Sequence, residues 1–204
     1  MSRVTMEHIE ARKRAILAAA QTVFARKGIQ AATMAEIAEL AGLSAGAIYR
    51  YYDSKEALAA SCMGEGVEAM TAEWRTLVEH AADPFEAFVT IAEGAFAELE
   101  QEGAEDISRI MLEEALASSR GYDPSVTEAA RRARGTVVRG LQDALQRAQD
   151  AGQLPADLDA YQLAQALLSF YYGARMARLV DPSVDTHRQL REMVKLMDHA
   201  RRAC

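Results

Sequence analysis

A chain of 204 residues, half of them apolar, is long enough to bury a core of its own, so disulfide or metal staples are not needed to hold it. Its net charge of −7 argues against a polyanionic partner for the chain as a whole, and no run of about 18 apolar residues is present to span a membrane. Cys62 and Cys204 form no motif, and His8, His80, His187 and His199 are scattered without metal-site spacing. With an opening segment too polar for a secretory signal, this composition leads us to expect a cytoplasmic protein with reduced thiols, no cofactor and no metal.

The first helix is expected from about Glu7 to Lys27, with Ile16, Leu17, Ala20, Val23 and Phe24 as its apolar stripe and Gly28 as its C-terminal cap. Thr33 and Glu36 have capping-box spacing, so a second helix starts after Thr33 and ends at Ala41 before Gly42. Only Leu43 and Ser44 then intervene. Ser44 is a candidate cap for a third helix, from Ala45 to about Tyr52. Asp53 and Glu56 frame a fourth, with Ser54 as the alternative cap, running toward Glu79 through the Gly64-Glu65-Gly66 stretch. Asp83-Pro84 and Asp123-Pro124 each put a cap before a first-turn proline. The later helices are then about 84–102, 105–119, 124–151, 159–180 and 184–202. The fold class is all-α: a three-helix N-terminal domain at 10–58, and a helical bundle at 59–204, with a shared fourth helix at the boundary.

The charge is uneven. Residues 1–60 carry 8 Lys and Arg against 6 Asp and Glu, while the remainder carries 15 against 24. A basic head on an acidic body can mark a nucleic-acid-binding end, although charge often only solvates a face. Segment 33–52 sharpens the question. It reads as helix, glycine turn, helix, the arrangement that lays its second helix in the DNA major groove. Thr33 and Ser44 stand at helix starts, where free amides receive phosphate. Ala45, Gly46 and Ala47 are small enough for close approach to base edges. Tyr49 and Tyr51 offer hydroxyls to phosphate, Lys55 adds a cation, Arg50 reaches guanine or phosphate, and Tyr52 is expected to pack inside. The competing reading packs all three tyrosines in the core.

The stretch "TMAEIAELAGLSAGAIYRYYDSKEAL" resembles the DNA-binding signature of the TetR family of bacterial helix-turn-helix transcriptional regulators. The match lies in Thr33, Ile37-Ala38, Ala41-Gly42-Leu43-Ser44, Gly46, Ile48-Tyr49, Tyr51-Tyr52, Ser54-Lys55-Glu56 and Leu58, and it covers about Arg12 to Leu58. The resemblance implies phosphate contacts by Thr33, Ser44, Tyr49, Tyr51 and Lys55, and base-facing positions at Ala45, Gly46 and Arg50. The family often has His at the position of Tyr51 and Phe at that of Tyr52, and both changes keep the ring. Many relatives have a longer polar residue in place of Ala45, so base readout here leans toward thymine methyls and DNA shape.

In the acidic remainder, helix 159–180 is apolar around most of its circumference and must be covered on several sides. Either it is the central helix of a monomer, or one side meets a second copy. In the second case Leu168, Tyr172 and Leu179, with Leu190, Met193, Val194 and Met197, form a two-fold four-helix interface, which the resemblance also implies. A homodimer predicts a palindromic DNA site. A ligand pocket is implied by the resemblance as well. Glu114 falls within an apolar stripe, and Arg175 and Arg178 interrupt apolar faces, either as ligand contacts or as an internal salt bridge. Trp74, Phe88, Phe96, Met111, Phe170, Tyr171 and Met176 supply either a pocket wall or plain core. Such a pocket suits a largely apolar small-molecule effector with one polar handle. The expected function is a DNA-binding transcriptional regulator, a repressor released by an effector. The alternative is a helical small-molecule-binding carrier or adaptor without DNA binding. An enzyme is remote, because no nucleophile-base grouping, metal spacing or phosphate-cradling loop stands out.

Overall fold

In the computed structural model every regular element among the described residues is helical; these are residues 3–64, 66–121 and 123–202, without the side chains of residues 3–6, 63, 114, 117 and 200. The helices are α1 (Arg3–Ala31), α2 (Met34–Leu40), α3 (Ala45–Ile48), α4 (Lys55–Gly64) and α5 (Val67–His80). They continue as α6 (Pro84–Ala97), α7 (Ala104–Ser119), α8 (Pro124–Asp150), α9 (Ala160–Val180) and α10 (Thr186–Arg202). The chain packs as two units, one of residues 1–65 with 106–133, the other of 66–105 with 134–204.

The first unit is built on the stripe read from the sequence. Ile16, Leu17, Ala20, Val23 and Phe24 of α1 are all buried with Ile37, Ala38, Ile48 and Leu58. Ile110 of α7 and Val126 of α8 join the same core, so residues far along the chain complete it. The break after Lys27 is where the sequence puts it, but the chain then resumes one more turn to Ala31. Gly28 has φ 78°, a left-handed value that only glycine takes without strain, and its carbonyl accepts the Ala32 amide at 3.3 Å. A Cβ at Gly28 would stand 3.1 Å from the Glu113 carboxylate of α7.

The third and fourth helices differ most from the expected ones. The third stops at Ile48 instead of near Tyr52, because the Arg50 amide bonds back to Ala47 O (3.3 Å) and the Tyr51 amide to Ile48 O (2.9 Å), closing the turn tightly. The fourth starts on Ser54, whose hydroxyl accepts the Ala57 amide at 3.0 Å, so the alternative cap is the one used. It also ends at Gly64 rather than running to Glu79, since Gly66 takes φ 79° and α5 starts afresh after it. The helix that belongs to both units is α8: Val126 lies in the first core, and Val138, Leu141 and Leu145 lie in the second unit.

The second unit has two apolar clusters. One gathers Phe85, Phe88, Val138, Leu141, Leu145, Ala164 and Leu168; the other gathers Phe96, Leu99, Ala174 and Leu190. Asp83 accepts the Glu86 amide at 3.1 Å ahead of Pro84, and Asp159 accepts the Tyr161 and Gln162 amides, as cap residues should. Helix α6 ends at Ala97 and tightens into a 3-10 turn at Glu98–Glu100, short of the expected 102.

Candidate nucleic-acid interface

Helix α3 has one buried residue, Ile48, and one half-buried, Ala47, while Ala45 and Gly46 are exposed. Ile48 is fully buried and pins the helix to the first core. Ser44, Ala45, Gly46, Tyr49 and Arg50 are all exposed, Tyr49 at 52%. A Cβ placed on Gly46 would meet nothing within 4 Å, so this surface is open enough to approach a flat or grooved partner. Ser44 precedes α3 in extended conformation, but its hydroxyl makes no capping hydrogen bond, contrary to the sequence expectation. Tyr51 and Tyr52 are half-buried against the core. Tyr52 therefore packs as expected, and Tyr51 is a ring on the core edge rather than a fully outward phenol.

Thr33 and Lys55 are engaged within the protein. The Thr33 hydroxyl accepts the Glu36 amide at 3.3 Å and donates its proton to Glu36 Oε2 at 2.8 Å, while the Thr33 amide donates to the same oxygen at 3.1 Å. A hydroxyl has one proton to give, so in this arrangement Thr33 is not a phosphate donor and instead sets the start of α2. Lys27 pairs with the same carboxylate. Its hydrogen bond, then that of Thr33, holds the Glu36 carboxyl below the ordinary glutamate range. Lys55 Nζ donates to Gln30 O at 2.7 Å, tying the start of α4 to the end of α1. An ammonium has three N–H groups, so two remain.

A family model described as bacterial regulatory proteins, tetR family, matches residues 16–62, and one described as tetracyclin repressor-like, C-terminal domain, matches residues 111–201. The chain belongs to the TetR family. It is a DNA-binding transcriptional regulator with an N-terminal helix-turn-helix domain and a C-terminal helical domain. It is 29% identical to the HTH-type transcriptional regulator TtgR of Pseudomonas putida over 190 residues, covering 91% of this chain and 89% of that one. The FadR regulator of Bacillus subtilis, solved in complex with stearoyl-CoA, has the same fold (TM-score 0.77, 19% identity, covering 90% of this chain and 96% of that one). So does SmeT in its triclosan complex (TM-score 0.77, 23% identity, 90% of each chain).

In this TetR-family chain the candidate pocket residues are spread over more than one apolar cluster. Phe88 is 2% exposed in the first cluster, with Trp74 packed against it, whereas Phe96 is 3% exposed in the other cluster. Phe96 stacks on Phe170 at 5.6 Å and meets Tyr171 edge-on at 5.6 Å. Met176 is half-buried on α9, and Met111 is half-buried on α7 in the first unit. The Glu114 side chain lies outside the described ones. Arg178 donates to Val184 O at 3.3 Å and closes the loop between α9 and α10. Arg175 is 4% exposed and donates to Tyr171 Oη at 2.8 Å and to Ala104 O at 3.5 Å.

Two of the candidate interface residues need correcting. Leu168 and Leu190 are 4% and 5% exposed inside their own protomer, so a second copy does not reach them. Tyr172, Val194 and Met197 also pack inward against the clusters. The open side of this helix pair is instead a groove of about 920 Å³ whose lining includes Phe170, Gly173, Ala177, Val184, Met193 and Leu196, with Leu196 at 67% exposed. Leu179 is half-buried, next to Val180 at 86% exposed. Sequence reading also missed Arg134 and Gln165, which meet at 3.3 Å beside Tyr172. A signal was there: Arg134 sits one turn before Val138 and continues the buried stripe of Val138, Leu141 and Leu145, where a cation is out of place.

Proposed function

We propose that this regulator is a repressor that holds a palindromic operator as a homodimer and leaves it when a small, largely apolar molecule enters the second unit. The reading rests on the surface of α3. Ser44, Ala45, Gly46, Tyr49 and Arg50 all face out, over a core that fixes Ile48 beneath them. Ala45 and Gly46 allow the backbone close to base edges, Tyr49 and Arg50 reach phosphate or guanine, and the two remaining Lys55 donors reach a flanking phosphate. Tyr51 contributes from the rim of the same surface. Residues 10–58 then carry the DNA contacts, and 59–204 the sensing and pairing.

The groove along α9 and α10 supports pairing between copies. Its lining is largely apolar, includes the small residues Gly173 and Ala177, and carries Arg188 and Glu192, opposite charges that a two-fold related copy would complement. Relatives of the same fold have been solved with stearoyl-CoA and with triclosan, which supports a small-molecule effector here. Effector binding would weaken operator affinity by about 5–150-fold, the usual range of allosteric coupling. Selection of bound DNA from a random pool tests the reading: it should return an inverted repeat. A sequence without two-fold symmetry, or a monomer at micromolar concentration in sedimentation, would remove the dimer.

A further inference from the structure

The second unit carries arginines within a largely apolar interior. Arg134 of α8 is half-buried, with its guanidinium 5.6 Å from the centre of the Tyr172 ring and Nη2 3.3 Å from Gln165 Oε1. Tyr172 adjoins Tyr171 at 6.0 Å between ring centres, and the Arg175 guanidinium lies 5.3 Å from the centre of the Tyr171 ring. Two guanidinium groups thus flank a pair of phenols. Burial raises both phenols above the ordinary tyrosine range, so both stay protonated and able to donate. Glu98, exposed on the 3-10 turn, bears on Tyr171 and not on Tyr172. Among the described residues no carboxylate lies within 4 Å of Arg134.

A half-buried arginine held only by an amide oxygen and a phenol is incompletely compensated. Its fork of N–H groups matches a carboxylate or phosphate, which a point cation such as lysine does not. Val137, three residues on along α8, and the Tyr172 ring are half-buried and offer apolar surface beside it, over the buried Val138 and Leu168. We infer that the polar handle of the effector is an anion, a carboxylate on an apolar body, received by Arg134 with the Tyr172 hydroxyl and the Gln165 amide. This rests on the proposed sensing role of the second unit.

The test compares dodecanoate, dodecan-1-ol and dodecylammonium on the full chain by calorimetry, with fluorescence of Trp74, the sole tryptophan, as a second readout. Dodecanoate should bind about 10–100-fold more tightly than the alcohol, the factor a charge-assisted hydrogen bond contributes. R134M should erase that preference, lowering dodecanoate affinity more than that of the alcohol, and R134K should retain only part of it. The wild-type series alone decides if R134M does not fold. Equal affinities, preference for the ammonium, or no binding by any of the three would overturn the inference. Operator release by dodecanol as readily as by dodecanoate would also overturn it and leave sensing intact. Tight dodecanoate binding without operator release would uphold the anion site and remove the sensing role instead.

Discussion

The two units put their polar chemistry in opposite places. In the first, Phe24, Ile37, Ile48 and Leu58 form an apolar core, and the groups proposed to meet DNA stand outside it, on and beside a four-residue helix. In the second, charge is inside: Arg175 is 4% exposed and Arg134 half-buried, among phenols. A surface site can be set by caps and one buried anchor, because water solvates whatever the partner does not. An interior site must compensate every charge with its own dipoles or with a ligand. The first arrangement suits a partner as large as duplex DNA, and the second a molecule small enough to be surrounded.

The contrast can be broken most directly at the cores. Phe24→Ala should cost about 3–5 kcal/mol in urea denaturation, the range for emptying a buried phenylalanine site. Hydrogen exchange should show α1 and α4 amides losing more protection than those of α9; equal loss throughout would mean the two cores are not separate. Next comes Gly28→Ala. Gly28 combines φ 78° with ψ 161°, a region open essentially to glycine alone, where another residue costs about 1–3 kcal/mol, and Glu113 stands 3.1 Å from the added methyl. Adding Glu113→Ala should recover only the crowding and not the backbone strain. Thr33→Ala should cost about 1 kcal/mol as a lost cap, with operator affinity falling in step with helix stability rather than by a phosphate contact of its own.

Smaller still in stability is Arg50→Ala, expected within about 0.5 kcal/mol of wild type because the residue is exposed. Its effect belongs on DNA: weaker binding and, where it meets phosphate, a salt slope reduced by about 1. Unchanged affinity and slope would take Arg50 out of the interface. The finest probe is pH. The folded Glu36 carboxyl lies below its unfolded value, so its contribution is present above the ordinary glutamate pKa and is lost as pH falls through the lowered folded value. Melting curves of Lys27→Met should decline less over that acid range than wild type.

Much of the first unit was legible because its signals are local. The Thr33–Glu36 capping box, the Gly28 and Gly42 stops and the α1 stripe each lie within a few residues, and each forms as read. What misled were choices between close local alternatives: Ser54 rather than Asp53 as the cap, and the left-handed turn at Gly66 that divides the fourth helix. The inward pairing of Arg134, Gln165 and Tyr172 was out of reach for a different reason. It joins residues 31 to 38 positions apart on two helices, and one sequence does not say which faces of those helices meet. Leu168 and Leu190 show the same limit, since apolar periodicity does not tell a core from an interface.

One consequence follows from α8. Val126 is buried in the first core and Arg134, eight residues on, is the first residue of α8 assigned to the second unit, with unbroken helix between them. At 1.5 Å of rise per residue that is about 12 Å of helix, whereas the chain turns at Gly66, which has φ 79°. If the proposed ligand shifts Arg134, this strut is the covalent route by which the shift would be carried to Val126. A glycine pair inserted midway along the strut should therefore mute the response to effector more than the same insertion beside Gly66.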